Sequence, residues 1–271
     1  MRDGAALDHR LWSRILSEAE EAINGEPVLA PLIVDSVIKR ANLADAICNR
    51  LASLLAQQGE RPQFLTAMSL FAAEDRSILA SASADIMAVL DRDPATAKAL
   101  HVLLHVKGFL ALQAHRFAHA FWHAGRRELA LHLQGCTSRR LQVDVHPAAR
   151  LGAGIFLDHA TGIVIGETCI IEDDVSILQN VTLGGTGKES GERHPKVRRG
   201  VLVGAGAIVL GNIEIGACAR IGAGSVVLKP VEAGKTVAGV PARVLGANFA
   251  QPSRSMDQVF EVARPSYDVG L

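Results

Sequence analysis

From Val145 to Val227 the chain repeats with a period of six, and few architectures are built on so short a fixed period. Aliphatic-glycine pairs recur as Leu151-Gly152, Ile165-Gly166, Leu183-Gly184, Val203-Gly204, Ile215-Gly216 and Ile221-Gly222. Val145, Leu157, Ile171, Ile177, Val209 and Val227 keep the same register between them. Four positions after an anchor the residue is small or β-branched, as at Ala149, Thr161, Val175, Val181, Ala207, Ile213, Ala219 and Ser225. This spacing predicts a hexapeptide β-helix in which each hexad forms one flat face of a triangular coil. Twelve clear hexads, three to a coil, predict about four coils sharing one core.

The rest of the chain reads differently. From about Leu7 to Leu141, apolar residues such as Leu11 and Ile15, then Ile47, Leu51, Leu54 and Leu55, fall three or four apart, as one face of an amphipathic helix requires. Arg92-Asp93-Pro94 interrupts the helices, because the residue before a proline is pushed out of the α region. Helix is expected to resume near Ala95, pass Gly125 and end near Gly135. After Gly246 the period stops, and a polar tail with Pro252, Ser253, Ser255 and Pro265 is expected to lack fixed structure unless a partner holds it. The domains are therefore 1–141, 142–246 and 247–271. Only 4% of residues are aromatic, which fits thin coils filled by Val, Ile, Leu and Ala. Such a coil exposes unpaired backbone at its ends, and the helical domain is expected to cover one of them.

Composition narrows the function. Lys plus Arg and Asp plus Glu are equal at 28 each, so charge gives no case for nucleic acid or an anionic membrane. The N-terminus lacks the apolar run of a signal peptide, and the stretch Leu100 to Leu112 is broken by His101, His105 and Lys107. Cys48, Cys136, Cys169 and Cys218 have no C-x-x-C spacing, which suits free thiols in a reducing compartment. The expectation is a cytoplasmic protein.

The period fails twice. Leu157 to Ile165 is a step of eight, so two extra residues bulge just after Asp158-His159. Leu183 to Val197 is fourteen, so a loop around 188–196 leaves the coil and carries Arg193-His194. Bulges and loops on a rigid scaffold are where binding and catalytic side chains concentrate. The plainer readings are a surface histidine at 159 and a solvated basic loop with Lys188, Lys196, Arg198 and Arg199. A loop two coils away could fold back over the first break or reach a neighbouring subunit.

Four stretches carry a resemblance: Gln142 to Pro147, Leu157 to Thr168, Gln179 to Lys188, and Arg193 to Lys196. They closely resemble bacterial serine O-acetyltransferases. Gly239-Val240-Pro241-Ala242-Arg243 is similar to the hexapeptide acyltransferase signature, and Arg92-Asp93-Pro94-Ala95 and Lys107 to Ala114 extend the likeness into the helices. The resemblance implies an α+β chain: an N-terminal all-α domain followed by a left-handed parallel β-helix of hexapeptide repeats. It implies acetyl transfer from acetyl-CoA to L-serine, giving O-acetylserine for cysteine biosynthesis, with no metal.

Serine's hydroxyl is a poor nucleophile, and by resemblance His159 is the base that takes its proton, with Asp144 on the other ring nitrogen. Asp93 and Asp158 would hold the substrate ammonium, Arg193 its carboxylate, and His194 the substrate or the developing oxyanion. Gly185, Gly204, Ala205 and Ala223 would line the coenzyme A groove between subunits. The family likeness further implies trimers, paired into hexamers by the helical domains, and feedback inhibition by L-cysteine. Family tails enter the active site of O-acetylserine sulfhydrylase through a terminal isoleucine; here Leu271 stands in that place.

Other readings keep their own signals. Gly184 to Lys188 mimics a phosphate loop, but Thr182 occupies the first glycine's place. His115, His119 and His123 have metal-like spacing on a helix, but Phe117, Phe121 and Trp122 beside them indicate packing. His146, His159 and His194 admit a zinc enzyme hydrating carbon dioxide, although Asp144 and Asp158 suit serine better. Another acceptor, homoserine or a sugar, and a non-catalytic regulator of the sulfhydrylase complete the alternatives.

Overall fold

A computed structural model describes residues 2–57, 59–187, 190–247 and 250–259. Lys188 in the loop and the terminal Leu271 lie outside the described residues. The helices are α1 (Arg2–Gly25), α2 (Ala30–Ile33), α3 (Leu43–Leu55), α4 (Arg61–Glu74), α5 (Arg76–Arg92), α6 (Ala99–His105), α7 (Lys107–His123) and α8 (Arg127–Leu141). Leu11, Ile15, Ile47, Leu51 and Leu55 are buried, as their spacing requires. Side-chain caps start two of the helices: Asn42 accepts from the amide of Asp45, and Asp75 from that of Ser77.

The break at Asp93 is present, with an extended backbone at the end of α5 before Pro94. Helix resumes at Ala99, later than expected, and does not pass Gly125. That glycine adopts φ +77°, ending one helix, while Gly135 lies inside α8, which runs on to a left-handed Gln142. Local propensity marks both glycines alike; only Gly125 sits where the chain must turn.

The chain then winds through three sheets around one core. The five-stranded sheet stacks β1 (Val143–Val145), β4 (Ile163–Ile165), β7 (Thr182–Gly184), β10 (Ile208–Leu210) and β13 (Val226–Val227). The four-stranded sheet stacks β2 (Arg150–Leu151), β5 (Ile170–Ile171), β8 (Lys196–Val197) and β11 (Glu214–Ile215). The six-stranded sheet stacks β3 (Phe156–Leu157), β6 (Ser176–Ile177), β9 (Leu202–Val203), β12 (Arg220–Ile221), β14 (Lys235–Gly239) and β15 (Ala242–Ala247). All pairs are parallel except β14 with β15. The anchors from Val145 to Val227 are buried, except Leu151 in the first turn, which is half-buried.

Register measures each turn directly. Val197 pairs with Ile215 eighteen residues on, a turn of three hexads. Leu157 pairs with Ile177 and Val143 with Ile163, twenty residues on, which is the two-residue bulge. Leu183 pairs with Val209, twenty-six residues on, which is the eight-residue loop. Five strands on one face make five turns, not four. The extra turn closes through Val231 and Val237, where Ile221 to Val237 is only sixteen residues and the strict period is lost.

The helical domain covers the first turn. Arg116 donates to the carbonyl of Gly152 (2.8 Å) and Arg92 to that of Gly154 (3.0 Å), while Asp85 accepts from the amide of Ile155 (3.0 Å). Asp85 also accepts from Gln113 (2.9 Å) and from Arg116 (2.7 and 3.0 Å). One hydrophobic cluster runs from α1 into the coil. At the other side Pro252–Ser255 forms a short helix, α9, with Pro252 and Ser253 buried and the Ser253 carbonyl accepting from Ser176 Oγ (2.8 Å). This stretch of the polar tail is docked against the coil because Ser253 meets a buried hydroxyl there. Among the described residues no helix is long and apolar enough to cross a membrane.

Asp85 is fully buried with Arg116. Asp85→Asn leaves the guanidinium without its charge partner, and a loss of about 3–5 kcal/mol is expected. Urea unfolding at fixed protein concentration checks this; a midpoint equal to wild type would remove Asp85 from its role as the tie between domains.

Candidate active site

Two corners of the coil carry the candidate residues, one at each end of the five-stranded sheet's strands. The leading corner joins β3 to β4. There His159 and Ala160 both take left-handed backbone (φ 54° and 62°), and Gly162 follows at φ 77°. Such conformations are costly for residues with a Cβ and cluster at functional sites. Ala160 fills the inward position that the hexad pattern assigns to Thr161, and the His159 side chain is 74% exposed. Its Nε2 lies 3.8 Å from Asp158 Oδ1.

Asp93 joins this corner from the end of α5, where its carboxylate accepts from the amide of Ala95 (2.9 Å) and the hydroxyl of Thr96 (2.6 Å). Burial pushes the Asp158 carboxyl above the usual range, His159 opposes this, and the nearby Asp93 adds to it. Two carboxylates beside an exposed imidazole suit a cationic group with a hydroxyl close by.

The trailing corner follows β4 and β7. Arg193 Nη2 pairs with Glu167 Oε2 at 2.7 Å, and this hydrogen bond holds the Glu167 carboxyl below its usual range. His194 is buried, and its Nδ1 accepts from the amide of Thr168 (3.2 Å). A neutral His194 with Nδ1 accepting carries its proton on Nε2, so that nitrogen is a donor. Burial, then the Arg193 cation, lowers its pKa. A Cβ at Gly166 would collide with this imidazole, so only glycine lets the ring lie against β4.

Asp144 stands on β1 beside Val164 and accepts from Gln134 Nε2 at 2.7 Å. Among the described residues no hydrogen bond or ion pair joins Asp144 to His159, nor Arg193 or His194 to Asp93, Asp158 or His159. β4 (Ile163–Ile165) separates the two corners, so Gly162 and Gly166 on either side of it are about 13 Å apart at a rise of roughly 3.3 Å per residue. The family resemblance gathers all six residues into one site; one chain puts Asp93, Asp158 and His159 at one corner, Arg193 and His194 at the other, and Asp144 on the strand face between them.

The four groove residues divide in the same way. Gly204 and Ala205 follow β9 and Ala223 follows β12, so they stack on the His159 edge, about 10 and 14 Å along the coil axis at roughly 4.8 Å per turn. A Cβ at Gly204 would meet the backbone of Ala223, which makes this edge flat and narrow. Gly185 follows β7 and lies against Arg193 on the other edge.

The sequence pattern does not single out Glu167, Thr168 or Gln134. Glu167 has a usable signal: the residue after the anchor-glycine pair is Ala or Gly in the other five hexads and charged only here. Gln134 has none, because its partner is set by how α8 packs on β1. Of the histidine row on α7, His119 Nδ1 bonds the carbonyl of Pro147 (2.7 Å) and its ring meets that of His123 edge to face. Among the described residues no group of three or more His, Cys, Asp or Glu side chains is arranged to hold a metal ion.

Known proteins match over 96% of the chain. Residues 11–114 match the family described as Serine acetyltransferase, N-terminal, and residues 194–229 match Bacterial transferase hexapeptide (six repeats). A serine acetyltransferase of Salmonella typhimurium is 50% identical over 267 residues, 96% of either chain. A serine acetyltransferase solved in complex with cysteine has a TM-score of 0.92 at 48% identity, covering 94% of this chain and 100% of that one. Another, from Brucella abortus in complex with coenzyme A, has a TM-score of 0.87 at 47% identity, covering 88% of this chain and 96% of that one.

The environment of His194 sets a measurable titration. Its imidazole is expected to protonate below the ordinary value of about 6.5. Arg193→Gln removes a cation that disfavours protonation, so the midpoint should rise. An NMR titration reads both; a midpoint that falls in the variant would overturn this account of the corner.

Proposed function

The chain belongs to the serine acetyltransferase family, and from that premise we propose that its active site is assembled from two copies of the chain. The reaction moves an acetyl group from acetyl-CoA to the hydroxyl of L-serine, giving O-acetyl-L-serine and coenzyme A. In the proposed site one copy contributes Asp93, Asp158 and His159, and its neighbour contributes Asp144, Arg193 and His194. The observation that carries this reading is the separation of the corners, since serine is far too short to touch both within one chain. Val164 and Ile208, exposed on the outer face of the same five-stranded sheet, support a subunit boundary there.

Each group then has a task that its chemistry suits. Asp93 and Asp158 take the serine ammonium, and the neighbour's Arg193 takes the carboxylate through a forked pair. One nitrogen of His159 removes the hydroxyl proton as the serine oxygen attacks the thioester carbonyl carbon, while the neighbour's Asp144 holds the other ring N–H. His194 Nε2–H faces the developing oxyanion or the substrate. As the carbon–sulfur bond breaks, the imidazolium returns its proton to the departing thiolate, so no charge is left behind. The pantetheine arm lies along Gly204, Ala205 and Ala223 of one copy, with the neighbour's Gly185 opposite.

The same premises extend to the assembly and its regulation. We assign a homotrimer, paired into a hexamer through the helical domain, where Val28 and Leu70 are exposed. L-cysteine carries the ammonium and carboxylate of serine with a thiol in place of the hydroxyl, so it competes for the same groups; a relative has been solved with cysteine bound. Binding of the tail ending in Leu271 to O-acetylserine sulfhydrylase rests on the family likeness, as does a cytoplasmic location, which suits the four free thiols.

His159→Ala is expected to lower kcat for serine by about 10²–10⁴, the usual contribution of a positioned base. Arg193→Met should mainly raise KM for serine. The two variants, co-refolded as mixed oligomers, should regain activity, because some sites then combine an intact His159 corner with an intact Arg193 corner. Recovery no greater than the sum of the separate variants would rule out a shared site.

A further inference from the structure

The exposed imidazole of His159 has little to hold it except its own backbone, and that backbone is strained at two consecutive residues. Left-handed conformations outside glycine persist only where the surroundings over-determine them. Several restraints do so here. The amide of Asp158 donates to Ile177 O (2.8 Å), that of Thr161 to His159 O (2.8 Å), that of Gly162 to Gln142 O (2.8 Å), and that of Asn180 to Thr161 O (2.7 Å). All of these come from within the coil or its first residue.

One restraint comes from outside. Lys107 opens α7, and its Nζ donates to the Thr161 hydroxyl, two residues beyond His159. The helix is fixed close by, because Gly108 lies directly on the Leu157 carbonyl, where any Cβ would collide. Thr161 is free to make this bond because Ala160 has taken its inward place in the hexad. We propose that Lys107 is a positioning residue: it pins the bulge through Thr161 and so fixes the direction of His159. This rests on His159 being the base, and it makes the helical domain part of the catalytic geometry as well as a cap.

The test is steady-state kinetics of the full chain, following thiol release, for Lys107→Met, Lys107→Arg, Thr161→Val, Thr161→Ser and the Lys107→Met/Thr161→Val pair, beside His159→Ala. Lys107→Met and Thr161→Val should each lower kcat by about tenfold to a hundredfold, the scale of a small misplacement of a reacting group. KM for acetyl-CoA should change by less than about twofold, since the groove lies two and three turns away. The double variant should be no worse than the poorer single one, and Lys107→Arg and Thr161→Ser should keep most of the turnover.

Wild-type kcat in Lys107→Met, or losses that multiply in the double variant, overturns the inference. If Lys107→Met does not fold, Thr161→Val, which changes one hydroxyl to a methyl, carries the test. His159→Ala separates the two levels. Turnover retained there refutes the base itself, whereas a dead His159→Ala beside a fully active Lys107→Met refutes the positioning alone.

Discussion

A parallel β-helix has no next strand at its ends, and its terminal turn would leave backbone groups facing apolar surroundings unpaired. Here the first turn meets three buried side chains instead. Arg116 and Arg92 supply donors to the carbonyls of Gly152 and Gly154, and Asp85 supplies an acceptor to the amide of Ile155. Buried charges are costly unless paired, and these are: Arg116 with Asp85, and Arg92 with Asp174 at 3.1 Å. The position of the helices on the coil is therefore set by directional bonds as well as by apolar contact. That fixes where α5 ends and where α7 begins, which in turn sets Asp93 and Lys107 beside the His159 corner.

The coil is legible in the residue pattern alone. A side chain that must point inward once every six residues leaves a periodic trace, and the two interruptions of that trace coincide with His159 and with Arg193-His194. The fifth turn is hidden because Val231 and Val237 keep their inward direction while abandoning the period. Helix ends are partly legible: proline forces its neighbour out of the α region wherever it occurs, but a glycine ends a helix only when the chain also has to turn, as at Gly125. The ties between domains leave no trace, since Arg92 and Ser176, or Asp85 and Ile155, are far apart in sequence and nothing local pairs them.

The candidate site shows the same division. Motif resemblance gathers Asp93, Asp144, Asp158, His159, Arg193 and His194 into one set, but a set has no geometry. Only the coil reveals that the leading and trailing corners lie at opposite ends of short strands. Glu167 is legible in principle as the one charged residue after an anchor-glycine pair. Gln134 and Thr161 are not, because each pairs across the boundary between helices and coil, whose placement follows from the buried ties.

The turns of this coil contain sixteen, eighteen, twenty and twenty-six residues, yet their inward residues stack in unbroken rows. Length added at a corner thus leaves the core rows unchanged: the strands before and after it still meet the same neighbours. Scaffold and chemistry can change separately. A lineage, or a designer, can lengthen the corner after β7 or reshape the one after β3 to accept a different hydroxyl compound without renegotiating the packing beneath, and each revision is displayed once per copy along the same seam.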